Sequence, residues 1–395
     1  MAANHTIAPG FCRFKPDQNI SPVYLVYLEQ LLRKVGNASF ILPCFVIKVG
    51  FYLSEIRQRG LTTGKEITHR FCYNSRLIQR LFNSLFVTSK SPQLIPLRQF
   101  AGIRYWPTWL GLLFMWGAAR LPFTLQMKIG RLLGLLSYFF ARDRRHICQT
   151  NLRLCFPELT DKERSVLTRK TFISNGMGVM EIAIAWSRNP KDFHQRVTVS
   201  GMENLEAAMS RGKGVLLVCA HFSSLEICGS LLTLFKDMAV TYRPNNNPLF
   251  DAVMFNGRKK VFNGVFERTN VRQAMRSLKE GNVLWYAPDQ DYGAKHSVFV
   301  PFFGVEAATI TATARFAKFN DSAVLFFSNY RIGDNSGYHL EFGPVLKDYP
   351  TEDQTADAIR INQLIEKAIR KHPEQYLWLH RRFKTQVAGE SARPY

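Results

Sequence analysis

At 395 residues with 46% hydrophobic content, the chain has material for one large domain or two modest ones. Its 52 Lys and Arg against 30 Asp and Glu leave a net charge of +22, which implies an anionic partner: nucleic acid, an acidic protein, phospholipid headgroups or a phosphorylated substrate. Aromatic content of 13% excludes a disordered polycation, and no nucleic-acid recognition module is evident. The seven cysteines (Cys12, Cys44, Cys72, Cys148, Cys155, Cys219, Cys228) form no C-x-x-C pair and no zinc-spaced cluster, so they read as free thiols, with no metal and no cofactor implied.

Met1 to Lys15 lacks a basic stretch leading into an apolar core, so a cleavable signal peptide is not expected. Residues 1–100 carry no motif and read as an extension of unknown role; the apolar segments Tyr24 to Leu32 and Phe40 to Leu53 could be helices within it. Tyr105 to Ala119 is uncharged and rich in Trp, Leu and Gly, yet shorter than the roughly 20 residues that cross a bilayer as a helix. Continuing through Arg120 to Met127 supplies the length, with Arg120 snorkelling. Ile129 to Phe140 is amphipathic and flanked by Arg131 and the cluster Arg142-Asp-Arg-Arg145. Residues 101–145 are therefore expected to be a membrane anchor plus a helix lying on anionic lipid, with a buried helical hairpin as the alternative.

Residues 146–395 read as a domain of their own. Thr160 to Trp186 carries helical signals, with Asp161 near its start and Pro190 beyond its end. From Val197 the pattern becomes α/β. Strands are expected at Val215 to Cys219, Ala239 to Tyr242, Asn282 to Trp285 and Ala323 to Phe327. Helices are expected at Ser224 to Phe235, Leu249 to Asn256, Val271 to Lys279 and Thr309 to Phe319. Gly333-Asp-Asn-Ser-Gly337 looks like a hairpin turn into Tyr338 to Phe342, and a last helix spans Thr351 to Lys371 with Thr351 as N-cap. Such alternation indicates an α/β fold with a mainly parallel central sheet flanked by helices.

The chemistry centres on the run Val215 to Ala220, which has no alternation and so suits a strand covered on both faces. It ends in His221, with Glu226 five positions on at the head of an apolar-periodic segment. Positions five apart on one helix point roughly 140° away from each other, so the two can meet only if His221 precedes the helix. His221 would then stand at the carboxyl end of a parallel strand, where α/β sheets open their ligand crevice. Ser223-Ser-Leu-Glu226 also fits a capping box, in which Glu226 merely reaches back to the helix start. Three more stretches follow strands: Tyr242-Arg-Pro-Asn-Asn-Asn-Pro248, Asn256-Gly-Arg-Lys-Lys260 and Trp285-Tyr-Ala-Pro-Asp-Gln-Asp-Tyr-Gly293. Turn formation or solvated charge would explain each separately; one crevice would gather all of them.

Taken with Ser297-Val-Phe-Val-Pro-Phe-Phe-Gly304, Pro373-Glu-Gln-Tyr-Leu-Trp-Leu-His-Arg-Arg-Phe-Lys384, Arg104-Tyr-Trp-Pro-Thr-Trp109 and Asn151-Leu-Arg-Leu-Cys-Phe-Pro-Glu158, these blocks resemble the late acyltransferases of lipid A biosynthesis, the lauroyl type above all. The resemblance runs from about Arg104 to the C-terminus. It implies a glycerolipid-acyltransferase-like fold and transfer of a fatty acyl group from acyl-acyl carrier protein to a 3-hydroxyacyl hydroxyl of Kdo(2)-lipid IV(A). It places the protein at the cytoplasmic side of the bacterial inner membrane, against phospholipid, with no nucleic-acid partner. A palmitoleoyl or myristoyl donor, or a non-catalytic lipid-binding protein, are the competing readings.

Within that reading His221 is the expected general base, since an imidazole near its ordinary pKa can accept a proton from an alcohol. Glu226 is expected to hold its tautomer. Oxyanion donors are expected from the backbone N–H groups near Phe222 and Ser223 or from a cationic side chain. Arg258 matches the family's essential arginine, for phosphate binding or charge stabilisation. Asp289 matches a family position and is expected to orient Arg258 or another basic residue. Arg243 and Asp291 are expected substrate-binding residues, and Arg381, Arg382 and Lys384 a solvated or lipid-facing cluster.

Overall fold

A strand apolar on both faces needs neighbours along both edges and cover above and below, and the run beginning at Val215 has them. The computed structural model describes residues 94–333, 336–387 and 394–395, all within the unit Ser91–Tyr395. The segments Tyr24 to Leu32 and Phe40 to Leu53, with Cys12, Cys44 and Cys72, lie outside the described residues. In chain order the elements are α1 (Trp106–Ala118), α2 (Phe123–Phe140), α3 (Arg142–Cys155), α4 (Asp161–Ser187), β1 (Val197–Ser200), α5 (Met202–Ser210), β2 (Val215–Val218), α6 (Leu225–Leu232), β3 (Met238–Tyr242), α7 (Pro248–Lys259), β4 (Gly264–Glu267), α8 (Val271–Lys279), β5 (Val283–Tyr286), β6 (Ser297–Phe302), β7 (Val305–Ile310), α9 (Ala312–Asn320), β8 (Ala323–Arg331), β9 (Tyr338–Val345) and α10 (Gln354–Lys371).

Seven strands form one sheet in the order β1-β9-β8-β2-β5-β3-β4, parallel except where β8 meets β9. Strands β6 and β7 make a separate antiparallel pair. The expected mainly parallel α/β sheet is what forms. Because successive strand residues face opposite sides, β2 feeds two cores. Val215, Leu217 and Cys219 pack with Ile184, Trp186, Leu231 and Leu232 of α4 and α6. Leu216, Val218 and Ala220 pack with Leu152, Phe172, Ile361 and Ile365 of α3, α4 and α10. Each fully buried Val or Leu here contributes about 1.5–3 kcal/mol over the exposed state.

The expected strands and helices after Val197 recur with small end shifts, and α8 matches its expected bounds. Residues Thr309 and Ile310 belong to β7, so the helix expected from Thr309 begins at Ala312. Thr160 and Glu163 form the capping box that starts α4. The N-cap of α10 is Asp353, which accepts from Thr355 and Ala356, and not Thr351.

The expectation of a spanning anchor within residues 101–145 is corrected. No helix among the described residues is long and apolar enough to cross a membrane. The stretch from Trp106 to Met127 is two helices, broken at Ala119–Pro122, because the residue before a proline is pushed out of the helical region. Nor is this a fully buried hairpin. One side of α2 lies against α4, so close at Gly176 that an added Cβ would overlap the backbone of Gly130 and Gly134. Yet Leu110, Leu113, Phe114 and Trp116 of α1 and Leu132, Leu136, Phe139 and Phe140 of α2 are exposed.

The long α4 is tied to the sheet by charge. Glu181, fully buried in an apolar helix face, takes Arg331 Nε and Nη2 at 2.5 and 3.1 Å and the Tyr338 hydroxyl at 2.9 Å. The remaining guanidinium donors go to Ser174 and to Ser223 Oγ at 2.7 Å. Removing one partner of such a pair strands the other charge in a low dielectric, so Glu181→Gln is expected to lower stability by about 3–5 kcal/mol. Urea unfolding followed by tryptophan emission measures this; an unchanged midpoint would refute the tie.

Candidate active site

His221 lies three residues beyond β2, before α6 begins at Leu225, so it stands at the open carboxyl edge of the sheet. Its loop is clamped by the C-terminal tail. Ser223 N–H donates to the Gln375 carbonyl at 2.7 Å, and Leu377 N–H donates to the His221 carbonyl at 3.0 Å. Gln375 in turn grips Arg331, its Oε1 accepting from the backbone N–H and its Nε2 donating to the carbonyl. The tail is pinned from the other side by buried Asn151, whose amide donates to the carbonyls of Trp378 and His380 at 2.7 and 2.8 Å.

The carboxylate that meets His221 is not the expected one. Asp289, on the loop after β5 and 1% exposed, accepts the His221 backbone N–H at 2.9 Å and lies 2.6 Å from Nδ1. The pairing assigns Nδ1 the proton and leaves Nε2 as the acceptor, with no hydrogen-bond partner for Nε2 among the described residues. Burial alone would lower the imidazole pKa, but the charge of Asp289 and its hydrogen bond outweigh it and the net shift is upward. Burial likewise opposes ionisation of Asp289, yet His221 and the Tyr376 hydroxyl hold its carboxyl down at about 2.

Glu226 is taken elsewhere, which corrects the expectation that it steers the imidazole. Its Oε1 accepts Arg258 Nε at 3.0 Å and also Nη2, and its Oε2 accepts the Trp186 indole N–H. The cause is helical phase: with α6 starting at Leu225, Glu226 points across to α7, where Arg258 occupies the last turn. Nor does a capping box form, since Ser224 at the N-cap makes no side-chain cap bond. The pair is nearly buried, with 15% and 13% side-chain exposure, and both charges act on His221. Gly257 permits the approach, because a Cβ there would sit 2.7 Å from Trp186 Cβ.

The expected backbone oxyanion donors are also corrected. Phe222 N–H donates to the Ala220 carbonyl at 2.9 Å and Ser223 N–H to Gln375, so neither is available. A cationic side chain remains, and Arg258 is a cation whose charge acts on His221. Asp289, expected to orient Arg258 or another basic residue, is committed to His221 and not to Arg258.

Asp291 does not face a crevice. Buried, it accepts Gly293 N–H and the backbone N–H and hydroxyl of Thr385, each at 2.8 Å, and so fastens the tail rather than a substrate. Arg382 is no surface cation: it is 1% exposed, donates to Ala308 O and Thr309 Oγ1, and stacks on Phe302. Arg381 is exposed and Lys384 lies 3.8 Å from Asp291. Arg243 is exposed at the end of β3, on the same sheet edge as His221. Sequence reasoning missed Glu181 and Arg331, although a single carboxylate inside the apolar run Gly176 to Trp186 signals a buried cation opposite.

This arrangement suits proton transfer from an alcohol with charge stabilisation alongside. A family model described as bacterial lipid A biosynthesis acyltransferase matches residues 97–385. The chain belongs to that acyltransferase family. The lipid A biosynthesis palmitoleoyltransferase of Escherichia coli (strain K12) is 39% identical over 302 residues, covering 76% of this chain and 98% of that protein. The lauroyltransferase of the same organism is also 39% identical, over 291 residues, 73% of this chain and 95% of that one. Among solved structures, the 1-acyl-sn-glycerophosphate acyltransferase of Thermotoga maritima aligns at a TM-score of 0.31 and 15% identity, covering 62% of this chain and 97% of that one, too weak a likeness to bear on the fold.

In this acyltransferase the Asp289 pair makes a signed prediction. Its contribution to stability is full where both groups are ionised in folded and unfolded chains, between about pH 4 and 6.5. It is lost as pH falls towards 2, and lost again as pH rises through the raised imidazole pKa. Asp289→Asn is therefore expected to lower the His221 pKa in an NMR imidazole titration. A downward shift in Glu226→Gln larger than that in Asp289→Asn would overturn the assignment.

Proposed function

We propose that the protein transfers a fatty acyl chain, lauroyl in the first instance, from acyl-acyl carrier protein to a 3-hydroxyacyl hydroxyl of Kdo(2)-lipid IV(A). The observation that carries the reading is an imidazole fixed through Nδ1 on Asp289, its Nε2 unpartnered among the described residues, with the nearly buried Glu226–Arg258 pair acting on it. His221 Nε2 removes the hydroxyl proton as the oxygen attacks the thioester carbonyl. Asp289 stabilises the imidazolium that forms. Arg258, held by Glu226, which the Trp186 indole holds in turn, faces the oxyanion of the tetrahedral intermediate. When the carbon–sulfur bond breaks, the leaving thiolate takes the proton back from His221, and no covalent enzyme intermediate is needed. Family membership and the 39% identity to named lipid A acyltransferases support the same reaction class.

Residues 101–145 serve in this reading as a docking surface on the cytoplasmic face of the bacterial inner membrane, and 146–395 as the catalytic domain. The support is the exposed apolar side chains of α1 and α2, with Lys128, Arg131, Arg142 and Arg144 nearby for anionic phospholipid headgroups. A palmitoleoyl donor is a second reading, favoured by equal identity to the palmitoleoyl and lauroyl relatives.

Incubating the purified protein with Kdo(2)-lipid IV(A) and lauroyl, myristoyl and palmitoleoyl carrier-protein thioesters is expected to give a singly acylated product, fastest with lauroyl, read by mass spectrometry. A faster palmitoleoyl reaction selects the sibling, and no product with any donor removes the enzyme reading. His221→Ala is expected to reduce turnover by about two to four orders of magnitude with the circular dichroism spectrum retained. The wild-type rate should fall on the acid side of the raised His221 pKa, since only the neutral ring accepts a proton.

A further inference from the structure

Most buried arginines of this protein are spoken for by carboxylates or carbonyls, but two exposed ones on the active edge of the sheet are not. Strands β3 and β4 run parallel with Tyr242 opposite Glu267. The next residues, Arg243 and Arg268, therefore leave the sheet side by side at its carboxyl edge, and Arg268 N–H donates to the Tyr242 carbonyl at 2.7 Å. Both side chains are exposed, and among the described residues neither forms an ion pair. Two nearby carboxylates are otherwise engaged: Asp251 accepts Asn245 N–H at 2.7 Å and Glu267 accepts the Thr269 hydroxyl at 2.8 Å. Tyr292 connects the arginines to the reaction centre. Its ring centroid lies 5.3 Å beneath the Arg268 guanidinium, and its hydroxyl, hydrogen-bonded by Arg268, is acted on by the charges of Asp289, Arg268 and Arg243.

We infer that Arg243 and Arg268 form a phosphate-binding subsite for the lipid acceptor, with Tyr292 as its floor. The inference rests on the acyl-transfer reading above and extends it to how the acceptor is held. Two guanidinium groups in adjacent register, without a carboxylate partner among the described residues, present a fork of donors that suits the oxygens of a phosphate. Spacing selects the source of the phosphate. In the order β2-β5-β3-β4, the ends of β3 and β4 lie two and three strand widths from β2, on the order of 10–14 Å along the edge from His221. That separation is comparable to the span from a sugar phosphate to a hydroxyl a few carbons along an attached acyl chain. It is shorter than the extended arm that separates the phosphodiester of a carrier-protein thioester from its carbonyl.

The test compares wild type with the double variant Arg243→Ala/Arg268→Ala, using intact Kdo(2)-lipid IV(A) and the same lipid after phosphatase treatment. Binding to detergent micelles doped with either lipid is measured at fixed low salt, and KM is measured for both substrates. Wild type is expected to bind intact acceptor about 10- to 100-fold more tightly than the treated lipid, as two charge-assisted contacts imply. The double variant is expected to lose that preference, with KM for intact acceptor rising far more than kcat falls. A preference retained in the variant overturns the subsite. So does a rise confined to KM for the acyl donor, which assigns the arginines to the carrier-protein arm. Failure of the acyl-transfer reading looks different: wild type then makes no product, while the micelle measurement still decides whether these arginines select phosphate.

Discussion

An ionised carboxylate with almost no solvent can persist only if its oxygens are answered by donors, and Asp289 is answered twice by one residue, through the His221 backbone and ring. That double contact fixes the imidazole's position, tautomer and proton affinity together. It requires the turn after β2 and the loop after β5 to reach the same point, which follows from the parallel pairing of those strands, Val218 beside Tyr286. The sheet thus acts as the ruler for the site. The tail adds the second constraint, since Gln375 and Leu377 lace the histidine loop from outside the sheet.

The site separates its charges into two pairs with different duties. In the proposed mechanism His221 with Asp289 handles the proton, and Arg258 with Glu226 supplies a positive charge without letting that guanidinium drift. An unpaired arginine here would depress the imidazole pKa, and an unpaired glutamate would raise it. Bound together, their opposing effects on His221 partly cancel, leaving Asp289 as the carboxylate that governs the ring.

The apolar surface of α1 is coupled to this chemistry through α7. Asn247 at the N-cap of α7 donates to Thr108 of α1 at 2.7 Å, and Leu249 and Ala252 pack with Leu112. Further along α7, Asn256 exchanges two hydrogen bonds with the Ile95 backbone, two positions before Arg258. One helix therefore carries both the seat for the exposed apolar face and the arginine whose charge acts on His221. In the proposed reaction that shared frame would fix the height of the site above any lipid surface that the apolar face met.

How much was legible follows from what each signal measures. Apolar runs and turn residues report local burial, so β2, β5, α8 and the mainly parallel sheet could be read directly, and with them the position of His221 at a strand's end. The same run lengths misled at Trp106 to Met127, where hydropathy sums over a helix that Pro122 has already broken. The four-residue strand β4 offered too little pattern to separate from a loop. Linear spacing suggested Glu226 as the partner of His221, but five positions is a statement about the chain. The partner was decided across 68 residues by which strand β2 pairs with, and Glu226 by the helical phase that turns it towards Arg258. Residue types and their order determined that this protein carries a histidine, two acids and an arginine at the mouth of an α/β sheet. Only the tertiary structure decided which acid meets which base, because ion pairing depends on distance through space, and sheet register, not sequence separation, sets that distance.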